Sequence, residues 1–361
     1  MKDWHYHNPA TLIAGAGSLE KLPQLITPGR WLLVTSAGFT RRGLTEKIQY
    51  LLSDVQLIVH DQVTPNPELD DLEAIIQHYR SQKFQGIIAI GGGSVLDAAK
   101  VLAVALPSAL QQPLTEVLRQ GKKHVWQQKL PLVVIPTTSG TGAEVTPFAT
   151  VWDQTQHKKY SVIGDQIFPE KVLLDPELTL GLPDQETLYT GLDAVSHALE
   201  SLWNVNRSPV SSSFAIQALE LAEKALPQVL NRPSDLKART AMQNASVLAG
   251  LAISQTRTAI AHSISYPLTS HYGVPHGLAC SFTLPRLIHN YVLMKPDSKE
   301  KHLLLRIKLM LEGMDLDNRL AKYVSNPQIE SLKSEMFHPD RVGNYSGDMT
   351  MPLLNKIIFT I

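Results

Sequence analysis

At 361 residues the chain is long enough for two domains with substantial cores. Its 33 Lys+Arg balance 33 Asp+Glu, so no bulk charge points to nucleic acid or an anionic membrane surface, and 43% hydrophobic with 18% charged residues is the composition of an ordinary soluble globular protein. Cys280 is the single cysteine and rules out an internal disulfide, and no apolar run is long enough to span a bilayer; because MKDWHYHNPATLIAG also lacks the apolar centre of a signal peptide, a cytoplasmic location is expected.

In chain order, Trp31–Thr35 reads as a strand and Thr40–Leu52 as a helix. Val55–Val59 is strand-like, and Pro67–Tyr79 carries apolar residues at helical spacing (Leu69, Leu72, Ile75, Ile76). A strand over Gly86–Ile90, a helix to Leu106 and a strand over Leu132–Ile135 follow. Phe148–Trp152 and Lys159–Ile163 flank a polar turn and predict a hairpin, and Lys171–Leu174 predicts a last strand. Strands alternating with helices of this length predict an α/β domain with a parallel sheet covered on both faces. Beyond Leu182 the β-branched runs stop. Helical patterns cover Gln185–Trp203, Pro209–Leu226, Leu236–Ala261 and Ser298–Tyr323. The expected division is an α/β dinucleotide-binding domain over 1–181 and an all-α domain over 182–361, with a turn-rich tail from His338 that the pattern leaves unassigned.

Two segments carry chemistry. In GIIAIGGGSVLDAAK a strand runs into Gly91, Gly92 and Gly93, and Ser94 is placed to cap a helix built on Val95, Ala98, Ala99, Leu102 and Ala103. A glycine turn between a strand and a helix N-terminus lets backbone N–H groups approach a pyrophosphate at the positive end of the helix dipole. Leu96 stands where a third glycine of the G-x-G-x-x-G pattern would fall, and on its own GGGS reads equally well as a plain tight turn. In the second half, Asp193 and His197 of GLDAVSHALES are four apart and share a helix face. His262 and His276 bracket HSISYPLTSHYGVPH. An i, i+4 Asp/His pair is as readily a local hydrogen bond as half of a metal site. One carboxylate with three neutral imidazoles does suit Fe(II) or Zn(II), and leaves a net charge of about +1 that can polarise a carbonyl oxygen.

Together with AGAGSLEKL, PNPELDDLE and PTTSGTGAEVTPFATVWD, these segments resemble the iron-containing (group III) alcohol dehydrogenases along nearly the whole chain. The resemblance implies a Rossmann-like domain followed by a helical domain, as in the dehydroquinate synthase-like fold. It also implies a homodimer, an NAD(P)-linked reaction on an aldehyde or alcohol, and Asp193, His197, His262 and His276 as ligands of Fe(II) or Zn(II). The cofactor is expected over Gly92, Gly93 and Ser94, with Thr137, Thr138 and Thr141 close by and Asn66, Asp97, Thr146 and Lys159 on further family cofactor positions. NAD-preferring relatives often carry Asp at the end of the strand that here reads LLVTS. This chain has Ser36, with Arg41 and Arg42 following, so NADPH is expected to be accepted alongside NADH.

Many relatives have a histidine four residues after His262; here Tyr266 stands there, either as a proton relay or as an aromatic packing residue. The segment SYPLTSHYGVPHG most resembles a subgroup that reduces phosphonoacetaldehyde to 2-hydroxyethylphosphonate. Arg257 is its candidate for meeting the phosphonate, provided the chain bends before His262, because five residues on a straight helix point about 140° apart. His271 and Arg207 are weaker candidates. The alternatives are a broad-range alcohol dehydrogenase, a dehydroquinate synthase-like lyase, and a non-catalytic binding protein that keeps the fold.

Overall fold

The computed structural model describes residues 3–156 and 158–359. Two units are present. The first is Asn8–Thr138 with Ala143–Thr179; the second is the chain from Leu180 onward with the segment up to His7 and Ser139–Gly142. The division is thus not one cut along the chain, since Ser139–Gly142 returns to the helical unit.

The α/β unit is built on β1 (Thr11–Ala14), β2 (Arg30–Val34), β3 (Gln56–His60), β4 (Gly86–Gly91), β5 (Leu132–Pro136) and β8 (Lys171–Leu174). These form a six-stranded sheet in the order β1-β8-β5-β4-β2-β3, and every pairing is parallel. Alternate residues Trp31 and Leu33, Ile88 and Ile90, and Val133 and Ile135 face one side, where they pack on Leu19, Leu22, Ile48 and Leu52. Residues on the other face, such as Leu32, Ile87 and Val134, are equally buried, which is why these strands read as unbroken apolar runs. The hairpin forms as expected from β6 (Phe148–Asp153) and β7 (Lys158–Ile163).

Helix α4 (Gly93–Ala105) packs against β4, β5 and β6, and its alanines 98, 99, 103 and 105 are buried. Lys100 is fully buried in its middle. Burial lowers its amine to about 8 against the opposing pull of Asp97, and the amine donates to the carbonyls of Ala143 and Phe148 at 2.8 and 2.6 Å. Both carbonyls belong to segments that leave the sheet, so Lys100 ties the β6 entry to α4. The expected helix over Thr40–Leu52 is two pieces, α1 (Ala37–Arg41) and α2 (Leu44–Leu51), because Gly43 adopts φ 75° between them. Helix α3 (Leu69–Tyr79) begins two residues after the expected start at Pro67.

The helical unit centres on α5 (Asp184–Leu202), α6 (Pro209–Asn231) and α7 (Leu236–Thr256), which pack on one another around Leu192, Leu199, Leu219, Leu226 and Met242. Capping is explicit at α6, where Ser208 and Ser211 form a reciprocal box, and at α7, where Asp235 accepts from Lys237 and Ala238 N–H. The helix expected over Leu236–Ala261 ends five residues early, and a separate α8 (Ile260–Tyr272) carries His262. Then follow α9 (His276–Ala279), α10 (Leu284–Met294), α11 (Lys301–Glu312) and α12 (Leu316–Leu320). The single helix expected over Ser298–Tyr323 is broken where Asp315 takes φ 55°. The tail holds α13 (Asn326–Ser331), α14 (Lys333–Met336), α15 (Pro339–Val342) and α16 (Met351–Ile358). In α16 Leu354, Ile357 and Ile358 join the helical core, so the segment left unassigned in the sequence ends in a packed helix after all. Among the described residues no helix is long and apolar enough to cross a membrane.

Candidate metal centre

Asp193, His197 and Glu200 lie at i, i+4 and i+7 on α5, so all three project from one face. Each is buried, which for two carboxylates requires compensation. His262 comes from the first turn of α8, and His276 opens α9. Asp193 Oδ1 is the meeting point. The Nε2 atoms of His262, His197 and His276 lie 3.5, 3.6 and 3.9 Å from it. These distances are long for hydrogen bonds. They resemble the edge of a tetrahedron, about 3.4 Å, around an ion with ligand bonds of about 2.1 Å.

Two further observations favour a cation at this point. His262 Nε2 is buried with no hydrogen-bond partner among the described residues, although its Nδ1 is 2.6 Å from Glu200 Oε2. Among the described residues no Lys or Arg side chain pairs with Asp193 or Glu200. With neutral imidazoles the cluster therefore holds two buried negative charges, which a divalent ion would neutralise. The ligand set read from sequence counted only Asp193 and left +1; Glu200 behind His262 brings the loaded site to about zero.

The ionisation pattern agrees with this charge count. Burial alone would raise Asp193, yet His197 and the other two imidazoles hold its carboxyl well below the usual carboxylate range. Burial would lower His262, but Glu200 and Asp193 on either side raise it to about 10 without a metal. A cation at Nε2 would take the place of that proton, and Glu200 would hold the proton on Nδ1, fixing tautomer and ring orientation. Glu200 Oε1 also accepts from the backbone N–H of Ala261 and His262 at 2.7 and 3.3 Å, which seats the start of α8 on α5. It is a positioning residue, and its place seven residues after Asp193 in GLDAVSHALES was the available signal. Glu200→Gln, which keeps the size but not the charge, is expected to weaken metal affinity about 10–100-fold in chelator competition. Unchanged affinity would show that only the backbone contacts matter.

Cys280 was also missed. Its thiol donates to Asp193 Oδ1 at 3.5 Å, and its sulfur belongs with Asp193, His262 and His276 to a cluster whose ligand atoms all lie within 4.8 Å of one another. Burial, and then Asp193, raise this thiol well above its ordinary value, so it faces the cluster as a protonated donor. Its position four residues after His276 puts both on one helical face.

Tyr266, one turn after His262, lies beside the same cluster. Its ring is 6.4 Å from that of His262 and 6.4 Å from that of His276, nearly parallel to the latter at 6°. Arg257 sits in the break that separates α7 from α8, at φ 65° and ψ 167°, and is exposed. The bend that the sequence reading required is present, so the 140° offset of a continuous helix does not apply. His271 pairs with Glu335 at the surface, and Arg207 bonds the Leu202 carbonyl and Tyr291 hydroxyl. Both are occupied structurally.

In the α/β unit the glycine turn joins β4 to α4. Gly92, not Ser94, occupies the N-cap, and no side chain caps this helix. The Ser94 hydroxyl instead accepts from the N–H of Asn66, which is held at φ 57°. A Cβ on Gly91 would lie 2.7 Å from Val95, and one on Gly92 3.3 Å from Thr138, so the turn is confined to small residues by its own neighbours. Gly93 is the first residue of the helix. Thr137 N–H donates to the Gly91 carbonyl, which brings Thr137 and Thr138 to the turn, and Thr137 Oγ1 is buried without a hydrogen-bond partner among the described residues.

Asp97 accepts from Thr150 N–H at 2.8 Å, and Lys159 lies 5.3 Å above the Trp152 ring. The Thr146 hydroxyl is buried and accepts from the Lys100 amine at 3.2 Å. Thr141 belongs to the helical unit. Ser36 lies two residues beyond β2, at the N-cap of α1. A Cβ built on Gly38 would have Arg42 Nη1, Arg41 Nη2 and Ser36 Oγ all within 3.5–3.9 Å, so the hydroxyl and both guanidiniums converge there.

Comparison with known proteins agrees with both halves of this description. The family described as iron-containing alcohol dehydrogenase matches residues 9–176, and the C-terminal part of the Fe-containing alcohol dehydrogenase family matches residues 187–336. The chain is 34% identical to phosphonoacetaldehyde reductase of Streptomyces viridochromogenes over 333 residues, 89% of this chain and 80% of that protein. It is 35% identical to the probable alcohol dehydrogenase EutG of Escherichia coli over 78% of this chain and 71% of that protein. Among solved structures it resembles sulfoacetaldehyde reductase from Bifidobacterium kashiwanohense in complex with NAD+, with a TM-score of 0.87, 27% identity, and coverage of 99% of this chain and 98% of that one. Fold, donor set and sequence likeness agree: the chain is an oxidoreductase and belongs to the iron-containing alcohol dehydrogenase family.

Proposed function

We propose that this protein reduces a short aldehyde bearing an anionic group, with phosphonoacetaldehyde the best candidate, to the corresponding primary alcohol. In this reading Asp193, His197, His262 and His276 hold Fe(II) or Zn(II), and the turn at Gly92–Ser94 with Asn66, Asp97, Thr137, Thr138, Thr141, Thr146 and Lys159 serves NADPH or NADH. The metal supplies Lewis acidity toward a carbonyl oxygen and the nicotinamide supplies hydride. Glu200 holds His262 in one tautomer. Tyr266, whose hydroxyl both donates and accepts and whose ring lies 6.4 Å from those of His262 and His276, is the candidate proton-carrying group. The resemblance extends the reading to a cytoplasmic homodimer.

The observation that carries the anionic substrate is Arg257. Its φ and ψ fall in a region essentially restricted to glycine, at a cost of about 1–3 kcal/mol. A guanidinium kept at such a position, five residues before a metal ligand, is best explained by what it binds. The relatives that reduce phosphonoacetaldehyde and sulfoacetaldehyde support the same substrate class. A general alcohol dehydrogenase is the competing reading, supported by relatives such as 1-propanol dehydrogenase of Citrobacter freundii. Convergence of Ser36, Arg41 and Arg42 at the end of β2 favours acceptance of a 2′-phosphate.

Steady-state kinetics of Fe(II)-loaded protein separate these readings. The expected kcat/KM for phosphonoacetaldehyde exceeds that for propanal about 100-fold, with NADPH at least as effective as NADH. Equal use of propanal would leave a general aldehyde reductase, and a marked NADH preference would remove the phosphate-binding role of the arginine pair.

A further inference from the structure

We infer that Arg341 is a specificity-determining residue of this site, meeting the anionic end of an aldehyde whose carbonyl faces the Asp193–histidine cluster. The inference rests on the reading of the substrate as an anionic aldehyde. Arg341 belongs to the tail segment that the sequence left unassigned. Its Cζ lies 6.0 Å from the centroid of the Tyr266 ring, and that ring is stacked parallel to His276. A cation therefore stands one aromatic ring away from the metal ligands.

Backbone anchors on both sides fix this placement. Before Arg341, Ser263 Oγ donates to the Met336 carbonyl at 2.6 Å and accepts from His338 N–H at 3.1 Å. After it, Asn344 Nδ2 donates to the Thr258 carbonyl at 2.8 Å. Both α8-side anchors, Thr258 and Ser263, flank His262. Asn204, bridged to Tyr345, donates to the Arg257 carbonyl at 3.0 Å, so the segments that bear Arg257 and Arg341 are tied to one another. The tail between residues 336 and 345 is thus stapled along the start of α8, with Arg341 at its middle.

Arg119, Arg286 and Arg306 each hold a carboxylate within 2.7 Å, whereas among the described residues none pairs with Arg341. A half-buried guanidinium beside the candidate metal cluster, with no carboxylate paired to it among the described residues, is matched to a bidentate oxyanion such as a phosphonate or sulfonate. Two such cations suit a dianion better than Arg257 alone.

The test uses Fe(II)-loaded wild type, Arg341→Leu and Arg341→Lys, with phosphonoacetaldehyde, sulfoacetaldehyde and propanal as substrates and methylphosphonate as inhibitor. Wild type is expected to prefer the anionic aldehydes. Arg341→Leu is expected to lower the anionic-to-neutral ratio of kcat/KM at least about tenfold, through KM, and to weaken methylphosphonate inhibition in parallel. Arg341→Lys should recover part of both, because charge survives while the planar fork does not. A wild type that prefers the anions, with a leucine variant of unchanged ratio, overturns the role of Arg341 and leaves the substrate reading standing. A wild type without anionic preference overturns both. If the leucine variant fails to fold, the lysine variant decides, and an unchanged ratio with unchanged inhibition counts against the inference.

Discussion

Asp193→Asn is expected to lose the metal and, with it, about a thousandfold or more of kcat/KM, while the far-ultraviolet circular dichroism stays that of the wild type. The size follows from its place in the cluster. Asp193 Oδ1 lies 3.5–3.9 Å from the Nε2 atoms of all three imidazoles, and Asp193 is the only carboxylate among the four candidate ligands. Outer partners such as Glu200 are worth about 10–100-fold each in affinity or activity, so the charged ligand they support is worth more. Asparagine preserves the shape but removes the anion, leaving a neutral donor among neutral imidazoles. Bound iron and turnover measured on the same preparation check the expectation. An Asp193→Asn protein that retains one equivalent of iron would place the metal elsewhere.

Gly277→Ala is expected to cost about 3 kcal/mol, lowering Tm by about 5–10 °C, and to weaken metal binding at the same time. A Cβ on Gly277 would lie 1.8 Å from the carbonyl oxygen of Tyr189 and 2.6 Å from its carbon. Both obstacles are backbone of α5, which rotation of a side chain cannot relieve. The helix bearing His276 must therefore move away from the helix bearing Asp193 and His197. The two losses are coupled because Gly277 directly follows the candidate ligand His276. Gly181→Ala is the control, since a Cβ there meets nothing within 4 Å. Thermal melts with and without added metal separate the two effects, and a Gly277→Ala protein with wild-type Tm would refute the close approach.

Much of this was legible in the chain. Alternating strand and helix patterns gave the parallel sheet because both of its faces are buried, and the Asp193–His197 spacing gave the shared face of α5. Other features were hidden for identifiable reasons. Thr11–Ala14 has only four residues, three of them exposed at the sheet edge, so β1 had no burial signature. The break at Arg257 was invisible because arginine is a good helix former, and nothing local signals a positive φ. Glu200 looked like one more polar residue on a helix until the fold placed His262 against it. Arg341 acquires meaning only through anchors to Ser263 and Thr258, some 80 residues earlier in the chain. Ser94 shows the opposite case: serine at a glycine turn suggested a cap, but the cap is Gly92, two residues sooner, and the Ser94 hydroxyl accepts from Asn66 N–H.

Metal dependence of aldehyde reduction bears most directly on the central claim. Protein stripped by chelation, verified as metal-free, is assayed with NADPH and phosphonoacetaldehyde before and after one equivalent of Fe(II) per chain. The expected result is negligible turnover in the stripped protein and recovery to the original rate at one equivalent. Full turnover by verified metal-free protein would contradict a catalytic metal at Asp193, His197, His262 and His276.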